Sequence, residues 1–145
     1  MKKTLVGLGL SIAAIALFPS TAAAVTILQR SCRLEATDET LTDESLFDRH
    51  SFVGAAGQSV TVSLRSNDFD PYVILLDGSN RKIGESDDIS EDDINARLTV
   101  TLPDNGTYSV LANSYDDVGL GDYRITITSP TSMPQPETAL PEDCR

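Results

Sequence analysis

An antiparallel β-sandwich of about seven to nine strands is the fold this sequence predicts, and three observations carry it. Apolar and polar residues alternate with a period of two through Val60/Val62/Leu64, Leu98/Val100/Leu102, Tyr108/Val110/Ala112 and Tyr123/Ile125/Ile127. Turn-forming residues separate these stretches, at Ala56-Gly57-Gln58, Asp77-Gly78-Ser79-Asn80, Pro103-Asp104-Asn105-Gly106 and Gly119-Leu120-Gly121. No 3.6-residue pattern is sustained after the first two dozen residues, so nothing downstream asks for a helix.

The chain opens on a segment that leaves. Lys2 and Lys3 precede an apolar stretch from Leu5 to Phe18, Pro19 breaks it, and Ala22-Ala23-Ala24 offers the small residues a signal peptidase reads. Residues 1–24 are therefore expected to be a secretory signal peptide, since an apolar core of about 14 residues is too short to span a bilayer. Gln29-Arg30-Ser31 before Cys32 is not the small apolar run that lipid anchoring requires. The mature chain then begins near Val25, with enough residues for one domain around one core.

Residues 25–45 read as a polar, acidic lead-in, a loop with at most one short edge strand and with Leu34 and Leu41 as isolated apolar points. The sandwich is expected over residues 46–128. Within it Tyr72–Leu76 is a continuous apolar run, bounded by Pro71 and by Asp77-Gly78 and too short for a helix, which predicts a strand buried on both faces. Phe47, Phe52, Phe69 and the four tyrosines fill the core of a chain that has no tryptophan. Asn105-Gly106-Thr107 fits a glycosylation acceptor, but an Asn-Gly hairpin turn accounts for the same residues. From Ser129 a Pro-rich tail runs to residue 145.

Charge and cysteines narrow the function. Lys and Arg number 11 against 22 Asp and Glu, and losing Lys2 and Lys3 with the leader leaves 9 against 22, a mature charge of −13. Such a chain repels nucleic acid and anionic lipid surfaces, so neither is an expected partner, and no membrane insertion is expected once the leader is cleaved. Cys32 and Cys144 are the two cysteines of a chain bound for an oxidising compartment. A bridge between them is the economical reading and pins the tail back onto the lead-in; a pair of intermolecular thiols is the competing one. No Cys-x-x-Cys or Cys/His spacing supports zinc or redox chemistry.

Catalysis finds little to work with. His50 is the single histidine, no Gly-x-Ser-x-Gly elbow exists, and neither cysteine is placed as a nucleophile. Carboxylate pairs abound, but tryptophan platforms for a sugar are missing. His50 reads as a half-buried packing residue, and the chain as no enzyme. Calcium is the cofactor worth weighing: Asp68, Asp70, Asp87 and Asp88, with Glu91, Asp92 and Asp93, lie in two loops that converge if Tyr72–Leu76 and Lys82–Gly84 form a hairpin, and clustered carboxylates suit a hard cation. The bland alternative has Asp70 and Asp87 bonding turn amides and the others facing water. Tyr115, Asp116 and Asp117 form a third constellation, either an exposed surface for a peptide or polymer or a plug at the sandwich end.

Seven ordered motifs then resemble one family. Asp48/His50/Phe52, Gly54/Ala56/Gly57/Gln58, Asp68 to Asp77, Asp87-Asp88, Asn95/Arg97/Leu98, Thr101 to Tyr108 and Gly121/Tyr123 look like the bacterial pre-peptidase C-terminal domain, over about Leu34 to Thr128. The resemblance implies a jelly-roll-like sandwich and a non-catalytic, secreted or periplasmic role beside peptidases or on extracellular polymers, in some relatives with calcium. His50 stands where that family prefers tyrosine, Ser86 where asparagine is common, and no peptidase accompanies the domain here. The expected function is thus a module that binds or stabilises an extracellular or envelope protein or polymer. Two alternatives stay open: an inhibitor or folding aid of a separately encoded secreted peptidase, and a structural envelope protein without a ligand site.

Overall fold

In a computed structural model, residues 23–116, 119–130 and 144 are described. Residues 1–22 of the expected signal peptide and the tail, apart from residues 129, 130 and 144, therefore lie outside the described residues, as does Asp117. Ten strands follow in order: β1 Val25–Leu34, β2 Glu39–Thr40, β3 Leu46–Gly54, β4 Ser59–Ser66, β5 Pro71–Leu76, β6 Lys82–Ser86, β7 Asp88–Ser90, β8 Asp93–Thr101, β9 Gly106–Ser114 and β10 Gly121–Ser129. They form two five-stranded antiparallel sheets, a first in the order β1-β10-β4-β8-β7 and a second in the order β2-β3-β9-β5-β6.

The core lies between the sheets, where the period-two stretches point their apolar members. Val60, Val62 and Leu64 of β4, Val110 of β9, and Ile125 and Ile127 of β10 are sealed from solvent. Phe52 stacks on Tyr108 across the β3–β9 pair, with ring centroids 5.6 Å apart. Burying a side chain of this size contributes roughly 1.5–3 kcal/mol. β5 is buried on both faces as its composition predicts: Val73 and Leu75 face the other sheet, while Ile74 and Leu76 join Phe47 and Leu111 in a second apolar cluster on the outside of the second sheet.

Turn chemistry decides where the chain changes sheet. Between β3 and β4, Gly57 takes φ 79° and Gln58 Oε1 accepts the Ala55 amide at 3.1 Å. The β5–β6 hairpin is closed by Asp77, whose Oδ1 accepts the amides of Ser79 at 2.9 Å and Arg81 at 3.0 Å, with Asn80 left-handed. Pro103–Gly106 departs from expectation. It is no hairpin, because β8 belongs to the first sheet and β9 to the second, and the connection is a crossover held by Asn105 Oδ1 on the Ala56 amide and by Tyr108 Oη donating to the Asp104 carbonyl.

The lead-in also differs. Val25–Leu34 is a ten-residue strand paired along β10, with a bulge between Thr26 and Leu28. Its polar residues belong there because β1 is an edge strand, and Leu28, Cys32 and Leu34 reach the core. Cys32 is bonded to Cys144 across a sequence separation of 112, so the intramolecular reading of the cysteines holds.

Candidate functional site

The chain turns between β4 and β5 around Phe69, which is buried, and the two aspartates on either side of it leave in different directions. Ser66 Oγ accepts the amides of Asp68 and Phe69 and tightens this corner. Asp68 Oδ2 accepts the Asp122 amide at 2.7 Å. It fills the space beside Gly121, where φ is 137° and a Cβ would collide with the Asp68 side chain, so residue 121 has to be glycine. Asp68 is thus a strap onto β10, in a hollow it shares with Asp92 and Asp93 and that Asp70, Asp87 and Asp88 do not line.

Asp70 goes the other way. Burial raises its pKa first, and the carboxylates of Asp88, Asp116 and Asp87 raise it further; the β5–β6 pairing, with Val73 opposite Ser86, brings Asp87 and Asp88 toward this end of β5, while Asp68, Asp92 and Asp93 stay in their own hollow. Asp70 Oδ1 is buried without a hydrogen-bond partner among the described residues. The main-chain carbonyl of Asp70 accepts the Tyr115 amide at 2.8 Å, which brings the third constellation to the same place. Tyr115 is 60% exposed and leans on Tyr72, with ring centroids 6.1 Å apart. Burial, together with a hydrogen bond to Glu85, pushes the Tyr72 hydroxyl up to about 12. Ser114 Oγ donates to the Asp116 carbonyl and fixes the loop after β9.

The product is a rim: two tyrosine rings, one of them projecting, with carboxylates of Asp70, Asp87, Asp88 and Asp116 around them. Amides near turns are accepted by Asp43, Asp68 and Asp77, and not by Asp70 or Asp87 as the alternative to a calcium site has it. The donors suit a hard cation, but among the described residues no three His, Cys, Asp or Glu side chains are placed to hold one ion.

A second group escaped the sequence. Asp48 and His50 on β3 point inward at Tyr123 on β10, and all three are 2–3% exposed. Tyr123 Oη donates to Asp48 Oδ2 at 2.6 Å, and His50 Nε2 lies 2.8 Å from the same oxygen, so the imidazole is the donor there. Burial, with Asp38 and Glu35 adding to it, lifts the Asp48 carboxyl to about 6 against the opposing Tyr123 bond. Burial, helped by Arg30, depresses His50 to about 4. Burial and Asp48 drive the Tyr123 hydroxyl upward as well. His50 is therefore a fully buried, hydrogen-bonded partner rather than half-buried packing. The trio lies beneath an open cleft of about 1460 Å³ walled by Arg33, Asp38, Arg49 and Cys144. With so little surface, these side chains cross-link the sheets and offer no exposed nucleophile or base.

Comparison with known proteins agrees with this geometry. Residues 47–114 match the model of the bacterial pre-peptidase C-terminal domain. The pre-peptidase C-terminal domain of the collagenase from Bacillus anthracis superposes with a TM-score of 0.50 at 14% identity, over 69% of this chain and 87% of that one. PliG of Aeromonas hydrophila, a periplasmic inhibitor of g-type lysozyme, superposes with a TM-score of 0.50 at 14% identity, over 79% of this chain and 92% of that one. No curated protein matches. At this identity the two structures show a shared fold; the match to the domain model and the Cys32–Cys144 disulfide fit an extracellular or periplasmic location.

Proposed function

For a chain whose residues 47–114 carry the pre-peptidase C-terminal domain, we propose a secreted, non-catalytic module that binds an extracellular or envelope protein through the tyrosine rim. The observation that carries the reading is Tyr115, a large ring 60% exposed yet held by a main-chain bond to Asp70 and by the Tyr72 ring. An aromatic residue already fixed in place loses little entropy on binding, and carboxylates around it favour a partner with a basic surface.

The test is capture from the medium and envelope extract of the producing cell on the mature, disulfide-bonded chain, beside the Tyr115→Ala and Asp116→Asn variants. A protein retained by the wild type and lost at least tenfold by Tyr115→Ala supports the rim. Equal retention by the variant removes it, and hydrolysis of a generic peptide or glycoside panel would end the non-catalytic reading. A second reading, inhibition of a secreted hydrolase, is favoured by the fold shared with an inhibitor of that class. It requires that the chain slow a g-type lysozyme or a secreted peptidase in a purified assay.

A further inference from the structure

Strand register gathers arginines that the sequence scatters. Arg124 of β10 lies directly opposite Arg65 of β4, and Arg97 of β8 lies opposite Ser63, two residues from Arg65. The three therefore step across three neighbouring strands on the outer face of the first sheet, and all are exposed. Arg33 on β1 continues the stripe but is paired with Asp122 at 2.8 Å. Among the described residues Arg65, Arg97 and Arg124 have no ion pair or hydrogen bond, although Asp93 lies near enough to Arg65 and Arg97 for its carboxyl to feel them.

Like charges placed directly opposite on a sheet cost stability. This chain has 22 acidic side chains, any of which would relieve the Arg65–Arg124 pair, so the placement works against folding. Hydroxyl rows lie beside it: Thr128, Thr61 and Thr99 align across the same strands, with Thr61 Oγ1 and Thr99 Oγ1 2.9 Å apart, and Thr126 stands opposite Ser63 in the row that ends at Arg97. A guanidinium fork matches a carboxylate, and hydroxyls on a flat surface match the hydroxyls of an extended sugar chain. The near-side carboxylates are Asp122, paired with Arg33, Asp93, bonded to Asn95, and Glu35, Asp38 and Glu39, which line the open cleft with Arg65 and Arg124. Stacked sheets lie about 10 Å apart and the Debye length at physiological salt is about 8 Å, so carboxylates on the far side are screened here.

We propose that this face binds an acidic polysaccharide of the uronate type, its carboxylates on Arg65, Arg97 and Arg124 and its hydroxyls on the threonine rows. The test is affinity electrophoresis and calorimetry of the mature, disulfide-bonded chain with polygalacturonate, at about 50 mM and about 300 mM NaCl, beside neutral amylose and a short DNA duplex. Binding to polygalacturonate that weakens with salt, is absent for amylose, and falls at least tenfold in an Arg65→Thr/Arg124→Thr variant is the expected result. That variant should unfold at the same temperature or higher, a signature that a merely structural role for the arginines would reverse. Arg81→Gln, the same kind of charge loss away from the face, should bind as the wild type does. Failure to bind polygalacturonate at low salt, or undiminished binding by the double variant, overturns the proposal. DNA binding of equal strength overturns the choice of a glycan.

Discussion

The outer faces of the two sheets contrast. The first is wet, with arginines and threonines in register, and its edge strand β1 is fastened covalently through Cys32. The second is dry at its centre, where Phe47, Ile74, Leu76 and Leu111 form an extra apolar layer and the Arg49 guanidinium lies 6.0 Å from the centre of the Phe47 ring. One sheet frees its surface for polar work and depends on a bond at its edge. The other holds itself by packing on both sides.

Breaking the bond should have the largest effect. In the chain-entropy picture, releasing a loop of 112 residues costs on the order of 4–5 kcal/mol, or a fall in melting temperature of roughly 15 °C. Hydrogen exchange after reduction should show β1 losing protection before β5 and β9; simultaneous loss would mean the edge does not depend on the bond. Next comes the extra layer: Leu111→Ala should cost about 2–5 kcal/mol in urea unfolding, as an interior leucine does, while Thr126→Ala on the opposite outer face stays within about 0.5 kcal/mol. Similar losses at both sites would erase the contrast.

Between these faces the buried trio links the sheets, and pH probes it. Folded Asp48, at about 6, keeps a proton that the unfolded chain has lost above its ordinary carboxylate range, so its contribution to stability falls as pH rises from about 4 to 6. Folded His50, at about 4, lacks a proton that the unfolded chain keeps up to its ordinary value of 6.5, so its contribution rises over the same window. The two oppose each other, and wild-type stability should be nearly flat there as far as this pair decides it. Asp48→Asn should make stability climb with pH and His50→Leu should make it fall, each by up to about 1.4 kcal/mol per pH unit. Unfolding midpoints at pH 4, 5 and 6 check this, and parallel profiles in both variants would refute it. The smallest effect belongs to the acidic rim: millimolar calcium against chelator should move the melting temperature by less than about 2 °C, where a saturated, built site would give roughly 10 °C. A rise of the larger size, lost in Asp70→Ala, would restore the calcium expectation.

Much of this was readable from residues. The continuous run of β5 announces burial on both faces, and alternation in β4, β8 and β10 announces one wet face each, because side-chain period follows solvent contact; β9 alternates at Tyr108, Val110 and Ala112, yet Leu111 is buried on its outer face as well. β1 was illegible for the same reason, since an edge strand can keep Gln29, Arg30, Ser31 and Arg33. Pro103–Gly106 misled because turn residues reveal a reversal without saying which sheet receives the chain. The rim was half legible: Asp70, Asp87, Asp88, Tyr115 and Asp116 were named, but Asp68 was separated from them by the corner at Phe69. The trio is not legible in the sequence, although Asp48, His50 and Phe52 share one face at a period of two. Only its pairing with Tyr123, distant in sequence, shows that face to be the interior. The arginine stripe likewise exists only in the register of three strands.

The trio has a calorimetric consequence. Between about pH 4 and 6 the unfolded chain holds its proton on the imidazole and the folded chain holds it on the carboxyl, the count being one in each state. Folding hands this proton from base to acid inside the molecule, so the pair exchanges none with the buffer, and its share of the folding heat is the same in acetate as in a buffer of any other ionisation enthalpy.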